Sequence, residues 1–192
     1  MRKIAVYMFT TLDGFIAGPD GAFLDYEPPE EEMRFANELF ASADGVVFGR
    51  VVYEGFVSYW DALDLTDTSN SAIDIEFARI FRGMTRVVVS RTLEQVEDND
   101  ILIKDDIAER IANLKQLPGR DLLLVCGPEL LATLVGFGLV DEFRLLVRPL
   151  VIGRGMALFG DLRRQLQLEL LATRVVASGN VLHHYRAVYD PA

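Results

Sequence analysis

The chain has 192 residues, half of them hydrophobic and a quarter charged, with a formal net charge of -10 and a single cysteine, Cys126. This composition fits one globular domain spanning residues 1–192 with a buried core, and the acidic balance disfavours a general binder of nucleic acid or membrane surfaces, since phosphate backbones need Lys and Arg. One cysteine allows no internal disulfide and no cysteine-rich metal site, no metal ligand set is expected, and no apolar run approaches the roughly 20 residues of a membrane span; the reading is a cytoplasmic protein.

Ile4 to Phe9 is a short continuous apolar run, as expected of a strand buried on both faces. Asp13-Gly14 and Asp20-Gly21 are turn signals around a second short apolar stretch. After Pro28-Pro29, Glu30 opens a helix with acidic residues in its first turn, where the helix dipole favours them, and with Met33, Leu39 and Phe40 on its apolar side. Val46 to Phe48 reads as a strand leaving through Gly49 into a helix that runs through Trp60. Leu63 to Ser71 reads as a loop, Ile73 to Phe81 as a helix and Arg86 to Ser90 as a strand. Ile101 to Ile103 is a further short strand, and Asp105 or Asp106 caps a helix through Leu117. Leu122 to Cys126 is a buried strand, and Gly127-Pro128-Glu129 starts a helix with Pro128 in its first turn. Beyond Gly138 the pattern changes to strands at Phe143–Val147, Leu168–Val176 and Val181–Tyr189, the last two joined by a hairpin turn at Ser178-Gly179-Asn180. Alternating β and α followed by antiparallel β predicts a three-layer α/β/α sandwich on a mixed, mainly parallel sheet with a C-terminal antiparallel hairpin.

Five segments carry glycines, hydroxyls and arginines: Thr11–Ala17, Gly49–Glu54, Val87–Thr92, Cys126–Leu130, and Asp141-Glu142-Phe143 running on to Gly155. Four of them lie at strand ends, where open α/β sheets bind ligands. The reading is one anion-binding crevice. Gly49 and Arg50 begin a helix after a strand, which suits a pyrophosphate; Ser90, Arg91 and Thr92 suit a further phosphate. The bland alternative at each position is a tight turn or a solvated side chain. Cys126 reads as a small buried residue, and His183 and His184, adjacent on a strand, point to opposite faces.

In this order the segments resemble the dihydrofolate reductase-like superfamily, most of all the branch containing the reductase domain of riboflavin biosynthesis and its stand-alone bacterial relatives. Two departures are visible. Val52 stands where the family's Gly-Arg-x-Thr motif has its hydroxyl, and Cys126 stands in place of the first glycine of a pair. The deaminase signature of the bifunctional riboflavin enzyme is absent. The resemblance implies an NADPH-dependent reductase passing hydride to a small heterocyclic or imine/carbonyl substrate, pterin-like or ribosylamino-pyrimidine-like; the alternative is a nucleotide-binding homo-oligomer without turnover. It implies cofactor contacts at Phe9, Ile16, Ala17, Gly49, Arg50, Val51, Val52, Ser90, Arg91, Thr92, Gly127, Pro128, Glu129 and Leu130. It implies a substrate pocket at Tyr7, Met8 and Phe35, and Glu31 as the residue nearest the folate enzymes' carboxylate, with a substrate-bound water as the other proton source. Apolar residues on both faces of the last two strands predict a homodimer, unless helices of the same chain cover them.

Overall fold

The computed structural model describes residues 1–22, 24, 26–176 and 179–189; Ser178 of the expected hairpin turn lies outside them. Among the described residues the strands are β1 (Ile4–Thr11), β2 (Phe15–Ala17), β3 (Gly45–Gly49), β4 (Thr85–Val89), β5 (Ile101–Ile103), β6 (Leu122–Val125), β7 (Glu142–Arg148), β8 (Met156–Ala157), β9 (Gln167–Val175) and β10 (Val181–Val188). The helices are α1 (Glu30–Ala41), α2 (Arg50–Phe56), α3 (Ala72–Arg82), α4 (Ile107–Gln116) and α5 (Pro128–Gly136). Eight strands form one sheet in the order β5-β4-β3-β6-β1-β7-β10-β9. β1, β3, β4, β5, β6 and β7 are parallel, and β10 and β9 close the sheet with antiparallel pairing. The predicted three-layer architecture is the observed one.

Strand alternation explains the layers. Ile4 and Val6 of β1 face one side with Leu122 and Leu124, where Ile111 of α4 and Leu131 and Leu134 of α5 bury them. Ala5 and Tyr7 face the other, against Phe40 of α1, Phe77 and Phe81 of α3, and Tyr53 of α2. Strands buried on both faces must read as unbroken apolar runs, which is why β1, β3 and β6 were legible from sequence.

Four details differ from the sequence reading. The helix expected through Trp60 ends as α-helix at Phe56 and continues as a π-helical turn, Val57–Asp61, held by Arg82 donating to the carbonyls of Trp60, Asp61 and Leu63. Asp106 precedes α4 in a left-handed conformation, φ 47°, and makes no side-chain cap bond. β2 pairs with β8 in a separate two-stranded ribbon. No residue of β9 is buried, so helices of this chain do not cover both faces of the hairpin.

Candidate functional site

β3 and β6 are neighbours, yet β3 leads into α2 on one face and β6 into α5 on the other. The chain switches sides there, which opens a crevice at the carboxyl ends of the strands. Gly49 and Gly127 precede the two helices in extended conformation, and neither helix start receives a side-chain cap. The first-turn N–H groups thus lack a local acceptor. A side chain at Gly127 would meet open space, and one at Gly49 would first touch Leu130 at 3.7 Å, so the two helix starts adjoin. Pro128 occupies the first turn of α5, Leu130 is half-buried between the ends, and Glu129 is exposed. Val51 is 60 % exposed at the mouth, while Val52 points into the core, 9 % exposed. Arg50 is exposed and pairs with Glu54 at 3.3 Å.

At one flank of the crevice, Ser90 directly follows β4. Its hydroxyl accepts from the N–H groups of Thr92 (3.2 Å) and Leu93 (3.0 Å), so it shapes the turn that presents Arg91. Arg91 and Lys104 line a groove of about 360 Å³ together with three carboxylates, Asp105, Asp106 and Glu109, at the start of α4, and with Thr133 and Phe137 at the far end of α5. Lys104, a cation at a strand end, follows β5 directly.

At the other flank, α1, β7, the β2–α1 connection and the start of β10 meet in a buried polar cluster. Glu31 is exposed and forms no hydrogen bond among the described residues; its neighbour Glu32 is 1 % exposed. Glu32 Oε1 accepts from Arg148 Nη2 at 3.0 Å. Its Oε2 accepts from the Tyr26 hydroxyl at 2.9 Å and from Asn180 Nδ2, and Asn180 also donates to Tyr26 Oη at 2.9 Å. The Arg148 guanidinium lies against the rings of Phe9 (4.5 Å) and Tyr26 (3.6 Å). Tyr7, 2 % exposed, packs edge-on to Phe9 and Phe35; burial, reinforced by the nearby Glu32 charge, pushes its phenol far above the ordinary range. Among the described residues three buried polar atoms here have no partner: Tyr7 Oη, Arg148 Nε and Asn180 Oδ1. The expected pocket residues thus divide. Met8 and Phe35 are half-buried, as is Phe9, expected at the cofactor, whereas Tyr7 is core with only its hydroxyl left over.

The loop after β1 is fixed by Asp13, whose carboxylate accepts from Thr11 Oγ1 (2.6 Å) and from the N–H groups of Ile152 and Gly153 (3.2 and 2.8 Å to Oδ2). These bonds, that from Thr11 foremost, hold the Asp13 carboxyl below its usual range. Ile16 and Ala17 follow in β2, and a Cβ at Gly155 would collide with the Ala17 carbonyl at 2.3 Å, so glycine is required there. Burial raises the Cys126 thiol to about 12, which leaves it protonated and inert.

The geometry agrees with comparison to known proteins. The family model of the RibD C-terminal domain matches residues 2–182, and the chain belongs to that family. It is 32 % identical over 186 residues to the Bacillus subtilis (strain 168) protein YyaP, covering 96 % of this chain and 95 % of that one. A putative riboflavin biosynthesis protein from Shewanella sp. is similar in structure, with TM-score 0.72 and 23 % identity over 97 % of this chain and 99 % of that chain. Dihydrofolate reductase from Enterococcus faecalis, solved with NADP(H), superimposes with TM-score 0.61 and 16 % identity over 96 % of this chain and 94 % of the enzyme. At such identities these two structures establish the fold alone, a dihydrofolate reductase-like one.

Proposed function

We propose that the protein is an NADPH-dependent reductase acting on a small heterocyclic, imine or carbonyl substrate. The observation that supports this most is the crevice between β3 and β6, where two uncapped helix starts adjoin. Backbone N–H groups at such starts are anion sites. Gly49, Gly127 and the first turn of α5 fit a pyrophosphate, with Arg50 at its edge. Arg91 and Lys104 fit a phosphate on the adenosine side, which favours NADPH over NADH. Phe9, Ile16 and Ala17 fit the nicotinamide end. Bound there, the cofactor supplies the hydride; the chain positions it and keeps water away.

The substrate end is the flank formed by Phe9, Phe35 and the Glu32 cluster. Among the described residues the accompanying proton has two chain-borne candidates there, the Tyr26 hydroxyl held by Glu32 and Asn180 and the unpartnered Tyr7 hydroxyl; solvent is the other source. Glu31, exposed and unbonded, has no geometric claim to the role. A second reading, nucleotide binding without turnover, draws on Val52, which replaces a hydroxyl beside α2. We further propose a homodimer through the open face of the β9–β10 hairpin, in the cytoplasm.

Fluorescence titration with NADPH and NADH tests the cofactor, and loss of nicotinamide absorbance with candidate substrates tests turnover. Tighter binding of NADPH with substrate-dependent oxidation is the expected result. Binding without oxidation favours the second reading, and equal affinity for the two cofactors sinks the assignment of Arg91 and Lys104.

A further inference from the structure

Glu32 is a carboxylate at the substrate end, yet it has almost nothing left to offer a ligand. A carboxylate has about four lone-pair positions, and Arg148, Tyr26 and Asn180 fill three of them. Arg148 takes the place that a cationic ligand would occupy against Glu32. Its guanidinium rests on two aromatic rings, its side chain is 11 % exposed, and Glu32 is its only ion-pair partner among the described residues. The pair has no net charge, and two of the polar atoms left without partners beside it are a donor, Arg148 Nε, and an acceptor, Asn180 Oδ1.

We propose that Arg148 is a specificity-determining residue, which makes this end of the crevice select neutral or anionic rings and reject cationic ones. A cation reaching Glu32 must displace Arg148 and strand a buried guanidinium, a penalty built against the wrong ligand. An uncharged or anionic ring meets no such penalty. The inference rests on the reading of this flank as the substrate end and is independent of which nucleotide binds.

Three planar probes of one shape separate the cases: benzamidine (cation), benzamide (neutral) and benzoate (anion), each titrated into the full chain and followed by nuclear magnetic resonance at Phe9 and Tyr26. The wild-type protein should bind benzamide and benzoate about tenfold or more tightly than benzamidine. Arg148→Met should invert that order by releasing Glu32. Glu32→Gln, which leaves Arg148 unneutralised, should tighten benzoate further. Benzamidine binding to the wild type as well as the other two overturns the proposal, as does a set of probes that leaves Phe9 and Tyr26 unperturbed. A folded Arg148→Met that gains no benzamidine affinity overturns it too; if that variant does not fold, the wild-type order and Glu32→Gln decide. The reductase reading fails separately: a protein that ranks the probes as stated but binds no NADPH loses that reading and keeps this one.

Discussion

Arg91 and Lys104 line one groove although 13 positions separate them. If both hold the adenosine phosphate, Arg91→Ala should weaken NADPH binding by roughly 1.5–3 kcal/mol, the range of a charge-assisted hydrogen bond, while NADH affinity stays nearly constant. Competitive titration of the two cofactors checks this, and a parallel loss for both would mean that Arg91 acts through the turn rather than the phosphate. The adjacent glutamates give a second contrast. Glu31→Gln should change stability by roughly 0.3–1 kcal/mol, the scale of one helix-dipole contact, whereas Glu32→Gln breaks a buried pair and should cost about 3 kcal/mol in denaturant melts. The distinction was available in the sequence. Glu32 precedes Ala36, Leu39 and Phe40 by four, seven and eight residues, the spacing of one buried helix face. Register to the family motif points to Glu31, and the buried carboxylate is the next residue. Tyr26 and Asn180 carried no such signal, because irregular segments have no period and only the docked chain brings them to Glu32.

The elements themselves were mostly legible, for a simple reason. Parallel strands in a covered sheet are apolar on both faces, and their ends at Gly49 and Gly127 are punctuated. The two-residue strand β8 was not, since Met156-Ala157 is too short to show alternation and is defined by its ribbon partner β2. That ribbon lies beside the Asp13 latch, which has its own signature. The carboxyl of Asp13 is held below the ordinary value of about 3.9. A depressed folded pKa contributes stability above the unfolded value and loses it as pH falls through the folded one. Amide exchange at Ile152 and Gly153 should therefore accelerate on acidification below the usual carboxylate range, and Asp13→Asn should abolish that step. An identical acid profile in the variant would assign the opening elsewhere. At α4, Asp106 has φ 47° and no cap bond; Asp106→Gly should be neutral to stabilising, by up to about 1 kcal/mol, in thermal melts.

For the whole molecule, the C-terminal hairpin is two-faced. On one side Glu142 pairs with Lys3 at 2.6 Å and His184 at 2.8 Å, and Arg186 pairs with Glu169 at 2.8 Å. On the other, Leu168, Leu170 and Val175 lie opposite Ala187, Tyr185 and Val181, and Leu170 and Val175 are 56 % and 71 % exposed. α4 and α5 cover β1 and β6 on that side but stop short of β9. An apolar half-face beside a saturated charged one calls for a second copy. Light scattering at micromolar concentration should give a dimer mass, and Leu170→Asp a monomer. Because each chain carries a net charge of -10, added salt should tighten the dimer by screening repulsion. A monomer mass for the wild type at every salt concentration removes the dimer.

Asn180 stands where the hairpin enters β10, and its amide reaches Glu32. The strand pair that would form the subunit contact therefore shares a hydrogen bond with the substrate flank. Reciprocity follows: whatever occupancy does to dimer affinity, dimerisation must do to occupancy by the same factor. Serial dilution of the protein should then shift apparent substrate affinity in step with the monomer fraction, and Asn180→Ala should uncouple the two while leaving each measurable alone. Independence of affinity from protein concentration across the dissociation range would show that the hairpin turn is a bystander.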